Sequence, residues 1–203
     1  IGGGVWDAAV QPDGRIVVVG DEWTGVRDAN GTQIFQWAIR RYEATGALDT
    51  GFGVGGRTTL FGTVPGGAVA FDVALDSAGR IVAVGRARVL VTTTSGGKKP
   101  TTTTQSLMHA VVARWLSNGQ LDPSFGSGGL VTLLVPNSNY AEAYAVAVLP
   151  GDKILLAGNT QFAATRRNDP AQGAMFLARY TAAGALDGTF GSGGIVLYNP
   201  SAN

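Results

Sequence analysis

Short apolar runs separated by glycine-rich turns recur along the chain, and no stretch keeps a 3.6-residue apolar period long enough for a helix. The runs come in a fixed order. First is an aromatic-led Ala/Val stretch at 6–10, 71–75 and 144–148. A turn follows at Pro12-Asp13-Gly14, Ser77-Ala78-Gly79 and Pro150-Gly151-Asp152. A continuous apolar run comes next, at 16–19, 81–84 and 154–157, and a third at 37–42, 110–116 and 175–180. The fourth is short and follows a double glycine, at 57–60, 130–133 and 195–198. Each set predicts four strands.

The sets are copies of one repeat, because Leu-Asp-x-x-Phe-Gly-x-Gly-Gly occurs at 48–56, 121–129 and 186–194. Turn anchors Arg15, Arg80 and Lys153 lie 65 and 73 residues apart, and Leu48, Leu121 and Leu186 lie 73 and 65 apart. A single eight-residue insertion between Gly85 and Arg114 explains both orders. The second and third runs are continuous rather than alternating, which predicts cover on both faces. A sandwich would leave one face of each sheet wet. Four-stranded units arranged around an axis, as in a β-propeller, place a sheet on either side of each sheet. A β-trefoil has three four-stranded repeats too, but 65–73 residues per unit is long for it. The expected fold is therefore all-β and β-propeller-like, with three four-stranded antiparallel blades at 1–62, 63–135 and 136–203. Propellers typically have four to eight blades. Three blades do not close a ring, and an uncovered end would expose an apolar face. Further blades or a second copy of the chain are the expected protein partners.

Composition sharpens this only at the margins. Glycine accounts for 31 of the 203 residues and charged residues for 14%, which suits turns and strands. A net charge of +1 makes no electrostatic case for nucleic acid. Without cysteine there are neither disulfides nor thiolate metal sites. No apolar run approaches the roughly 18–20 residues of a membrane-spanning helix. The chain begins at Ile1 with neither an initiator Met nor a signal peptide, so a processed or excised segment of a longer protein is expected.

Residues present in every unit read as scaffold. Asp49, Asp122 and Asp187 are expected to accept backbone N–H groups in the Leu-Asp turn. Arg41, Arg114 and Arg179 would tie that turn to the third strand, and Phe52, Phe125 and Phe190 would plug the gaps between units. No G-x-S-x-G elbow, Walker A loop or HExxH helix occurs, so no catalytic residue is assigned. Gly51 to Gly56 fits G-x-G-x-x-G but lacks the strand and helix that a dinucleotide needs on either side. His109, the only histidine, reads as structural or solvent-facing. Asp7 and Asp72 lie in the first strands of their units, where the third unit has Ala145. No cofactor is expected, although the oxygen-rich set Asp21, Glu22, Asp28 and Asn30 could ligate calcium. Asn30-Gly31-Thr32 matches a glycosylation sequon and reads as a turn.

Uneven stretches join the second and third strands at 21–36, 86–109 and 159–174, and they read as loops on one face. The middle one holds a threonine-rich segment. It reads as a flexible loop, with a tongue, a paired β-arm or an O-glycosylated stretch as alternatives. Exposed contact candidates on this face are Trp23, Arg27, Lys98, Lys99, Tyr140, Arg166 and Arg167.

The aromatic-led strand, the Pro-Asp-Gly-Arg-Ile-Val turn, Arg-Tyr and Leu-Asp-x-x-Phe-Gly together resemble the bacterial delta-60 repeat family. The first unit, with Gln11-Pro12-Asp13-Gly14-Arg15-Ile16-Val17, is nearest to that pattern. The second departs from it at Asp76-Ser77-Ala78 and the third at Gly151-Asp152. The resemblance implies a propeller-like domain of large secreted or envelope-associated bacterial proteins, with no catalytic residues to carry over. The expected function is a non-enzymatic structural or adhesive module, binding through the loop face and the open blade edges. Glycan binding is the alternative, and an enzyme with a central-channel site comes third.

Overall fold

The computed structural model of the chain describes residues 3–62, 67–96, 101–133, 135–162 and 172–198, and every regular element among them is a strand. The first unit is β1 (Gly3–Val10), β2 (Ile16–Arg27), β3 (Gln33–Tyr42) and β4 (Arg57–Leu60). The second is β5 (Ala68–Leu75), β6 (Ile81–Thr94), β7 (Thr102–Trp115) and β8 (Leu130–Leu133). The third is β9 (Ser138–Leu149), β10 (Lys153–Phe162), β11 (Gln172–Tyr180) and β12 (Ile195–Tyr198). Within each unit the strands pair antiparallel in chain order, making three meanders. A single parallel pairing of Met108 with Tyr140 joins the second and third into one eight-stranded sheet. Among the described residues the chain is all-β, and its sheets do not close on themselves.

The fourth strands begin where the glycine turn ends. Gly56, Gly129 and Gly194 have φ of +88°, +96° and +98°. A Cβ on them would lie 2.6, 2.8 and 2.9 Å from Leu48, Leu121 and Leu186, the first residues of the three blocks. Both the left-handed backbone and the contact require glycine.

The 21–36, 86–109 and 159–174 connections are not the loops expected from sequence. Within the described residues, the second and third strands run on into these stretches as paired ribbons, out to Arg27–Gln33 in the first unit, Thr94–Thr102 in the second and Phe162–Gln172 in the third. The threonine-rich segment is thus a paired β-arm. Its exposed threonines bond across the ribbon, Thr92 to Thr104 at 3.0 Å and Thr94 to Thr102 at 3.2 Å. Cross-strand threonine pairs of this kind stabilise a ribbon that has no core to rest on.

Two cores lie between the three units. One gathers Val17, Val19, Trp37, Ile39 and Phe52 of the first unit against Ile81, Ala83, Val111, Ala113 and Trp115 of the second. The other gathers Val82, Val84, Val112 and Phe125 of the second against Ile154, Leu156, Phe176 and Tyr180 of the third. In β6 alternate residues therefore enter different cores, and 81–85 is buried on both faces. The expectation of cover on both faces holds for this middle unit only. In β10, Ile154 and Leu156 are buried while Leu155 and Ala157 are half-buried, because no sheet covers their side. Below, the face towards the preceding unit is the leading face, and the face towards the following unit is the trailing face.

Candidate functional site: the joints between units and the two open ends

The Leu-Asp block carries a clamp repeated three times. Arg41, Arg114 and Arg179 each donate from Nε to Oδ2 of Asp49, Asp122 and Asp187, at 2.7, 2.8 and 2.9 Å. The other carboxylate oxygen accepts the backbone N–H two residues on, from Gly51, Ser124 and Thr189. Each guanidinium also lies over the following phenylalanine, 4.7, 4.5 and 4.7 Å from the ring centres of Phe52, Phe125 and Phe190. Burial pushes Asp122 up, but bonds from Ser124 and the charge of Arg114 outweigh it and leave its pKa lowered. Asp187 is lowered too, first through its bond from Lys153.

The clamp reaches beyond its own unit, which sequence reasoning misses. Arg41 donates from Nη1 to Ser117 O of the second unit, and Arg114 donates likewise to Ala182 O of the third, at 2.5 and 2.6 Å. Beside them Gly53 N donates to Asn118 O and Gly126 N to Ala183 O, both at 2.9 Å. Gly119 and Gly184 close those accepting turns, where a Cβ would come within 2.6 and 2.9 Å of Gly53 N and Gly126 N. Each joint thus consists of a phenylalanine plug, an arginine hand and a glycine turn.

Asp7 and Asp72 work at the same joints. They sit at bulges in β1 and β5, and their Oδ2 atoms accept Val73 N at 3.0 Å and Val146 N at 2.7 Å, in each case from the next unit. The two carboxyls also bond to one another. Burial, then the bond to Asp7, pushes Asp72 up to about 6. Burial raises Asp7 as well, but hydrogen bonds from Asp72, Val73 and Ala8 outweigh it and its pKa is lowered.

Of the sequence-predicted contact residues, Trp23, Arg27 and Tyr140 are among the described residues. Trp23 donates to Val26 O at 3.1 Å and Arg27 to Gly31 O at 2.7 Å, both within their own hairpin. Tyr140 is half-buried, and its hydroxyl donates to Glu142. Lys98, Lys99, Arg166 and Arg167 lie outside the described residues. The acid set is dispersed. Asp21 accepts Trp6 Nε1 at 2.7 Å, Glu22 is buried in a cluster of arginines, and Asp28 caps the hairpin turn by accepting Asn30 N and Thr32 N at 2.9 Å. Among the described residues, no group of three or more His, Cys, Asp or Glu side chains converges as metal ligands would. His109 is buried, which lowers its pKa.

A row of aromatics runs across the first strands, with Trp6 against Phe71 at 5.5 Å and Phe71 against Tyr144 at 5.0 Å between ring centres. Glu142 sits beneath it, only 1% exposed, and takes bonds from Arg86, Tyr140 and Tyr144. Burial raises its pKa, but the three donors outweigh burial and hold it lowered.

Residues 11–52 match the family described as "Domain of unknown function (DUF5122) beta-propeller". No curated protein matches the chain. The matched stretch covers the turn, β2, β3 and the first clamp, so the repeat is of a β-propeller type. Among the described residues no helix is long and apolar enough to cross a membrane.

The two ends of the row of units differ. On the trailing face of the third, Met175 and Tyr198 are 54% and 55% exposed, with Leu177 and Val196 beside them at 39% and 38%. Their counterparts Trp37 and Ile39, and Ala110 and Val112, are buried in the joints. The leading face of the first unit is polar at its centre. Glu22 accepts Arg40 Nη2 at 3.0 Å, Arg57 Nη1 at 2.9 Å and Gln36 Nε2 at 2.9 Å. The second and third units place Ala87 and Thr160, Ala113 and Ala178, and Leu130 and Ile195 where the first has Glu22, Arg40 and Arg57.

Proposed function

We propose that the chain is a non-enzymatic structural module, three delta-60-type blades of a larger propeller-like assembly, whose work is to dock other protein on its open faces. The observation that carries this reading is the uncovered apolar trailing face of the third unit, which has the composition of the two buried joints. Exposed apolar patches of this kind mark interaction surfaces in soluble proteins. Secretion or attachment to a bacterial cell envelope follows from the family resemblance, and the face carrying the β2–β3 and β6–β7 ribbons is a further contact surface.

The test is static light scattering over a concentration series. The chain is expected to bind an apolar dye and to associate only weakly, at the top of the series, and Met175→Asp with Leu177→Asp to abolish both. A wild-type chain that stays monomeric throughout and binds no apolar dye would refute the reading.

Glycan binding is the second reading. It is favoured by exposed Trp6 and Tyr144, with the carboxylate of Asp21 beside Trp6, since aromatic and acidic groups together suit sugar rings and hydroxyls. A glycan array without a hit would exclude it.

A further inference from the structure

We infer that the trailing face of the third unit is the seat of one particular kind of partner, a further unit of this same repeat with an apolar leading face, and not the first unit of a second copy. This deepens the docking function proposed above and rests on it. The argument comes from the two joints already in the chain. In each, a phenylalanine, an arginine Nη1 and a glycine N–H meet a turn of the following unit, Ser117-Asn118-Gly119 or Ala182-Ala183-Gly184. The third unit repeats the giving half in full with Arg179, Phe190 and Gly191. Among the described residues, Arg179 Nη1 and Gly191 N–H reach no acceptor. Phe190 is half-buried, whereas Phe52 and Phe125 are 0% exposed. A row of hydrogen-bond donors framed by apolar side chains specifies a turn with two outward carbonyls and a glycine, mounted on a sheet of small apolar residues.

A second copy offers only half of that. Its first unit has the right turn, Ala44-Thr45-Gly46, with nothing within 4 Å of a Cβ placed on Gly46. Its sheet face is wrong. Docking would press the Glu22–Arg40–Arg57 cluster against Met175 and Leu177 and strip water from the two half-exposed arginines, whereas the existing joints place Ala87, Ala113 and Leu130 there. A polar outer face is how terminal units of repeat proteins stay soluble. The leading face of the first unit is polar, and the trailing face of the third is apolar with its donors open.

The experiment gives the first unit the face that the second unit has, by Glu22→Ala, Arg40→Ala and Arg57→Leu together. Met175→Asp is added so that this variant cannot bind through its own tail. Mixed with the wild-type chain and followed by sedimentation velocity, it should form a one-to-one complex roughly 100-fold tighter than wild-type self-association. Circular dichroism checks its fold. If the full set does not fold, Glu22→Ala with Arg40→Ala and Met175→Asp takes its place. Wild-type association already as tight, and weakened by the substitutions, would overturn the inference in favour of a second copy. Association lost with Met175→Asp but indifferent to the leading-face substitutions would mean that two trailing faces meet. That outcome overturns the inference and leaves the docking function standing. No association in any mixture would overturn both.

Discussion

Arg114 and Arg179 occupy the same place in the repeat, yet removing them should cost very different amounts. Arg114 is 2% exposed, pairs with buried Asp122, covers Phe125 and donates across the joint to Ala182 O. Breaking a buried pair from one side costs about 3–5 kcal/mol, because the remaining charge is stranded. Asp122 keeps Ser124 and a longer contact with Arg80, which moderates the loss, while the orphaned Ala182 O adds to it. Arg114→Ala should therefore cost about 4 kcal/mol. The Arg179 side chain is 22% exposed and spans no joint, and Asp187 retains Lys153 at 2.8 Å. Arg179→Ala should cost about 1 kcal/mol, in the range of exposed pairs. At about 2–4 °C per kcal/mol for a chain of this size, the midpoints would fall by about 8–16 °C and about 2–4 °C. Urea unfolding of both variants with a common slope measures the difference directly. Losses within about 1 kcal/mol of each other would show that the arginine acts within its own unit only, and the account of the joint would fail.

Three further outcomes are expected. Because Asp72 is raised to about 6 in the folded chain from 3.8, its contribution is fully present below about pH 4 and is lost as pH rises to about 6. The whole shift would be about 3 kcal/mol, reduced by partial exposure and screening to about 1. Asp72→Asn should then gain about 1 kcal/mol at pH 7 and nothing at pH 4 by urea unfolding, and an equal effect at both pH values would contradict it. Gly119→Ala, which combines φ of +85° with a clash against Gly53 N, should cost about 3 kcal/mol by thermal melting, against about 1 for Gly46→Ala, where the space is open. Met175→Asp should leave the melting midpoint within about 1 °C, since an exposed side chain contributes little to the isolated fold; a larger drop would mean that the face is already packed.

The repeat and its fourth strands are legible in the sequence because glycine at a positive φ fixes where the chain turns. The double glycine before 57–60, 130–133 and 195–198 marks the strand starts that the structure has. The hairpins are hard to read for a physical reason. Thr92, Thr94, Thr102 and Thr104 are β-branched but polar, so they carry strand propensity without the apolar rhythm that signals a strand. Burial on both sides of every second strand is over-predicted because Val18 and Leu155 are apolar enough for it, while the cover must come from a neighbouring unit that local sequence does not encode. The charges at Glu22, Arg40 and Arg57 are the available hint, and it emerges only when the three copies are aligned. Tyr140 looks exposed beside Asn139, but a carboxylate two residues on, at Glu142, lies on the same side of the strand and draws the hydroxyl inward. The reach of Arg41 and Arg114 to the following unit is invisible in sequence because the acceptors are backbone carbonyls, which have no residue signature.

The two-sided burial of β6 and β7 has a consequence for how the chain opens. A stack of units behaves as a sum of unit and interface terms, so releasing an end unit gives up one interface while releasing the middle one gives up two. Amide exchange should then be graded by position, with Val82, Val84 and Val112 exchanging only through global unfolding. Their counterparts in β2 and β10 would exchange through opening of an end. The slowest amides in the chain would mark its centre, and the gradient away from them would measure each joint separately.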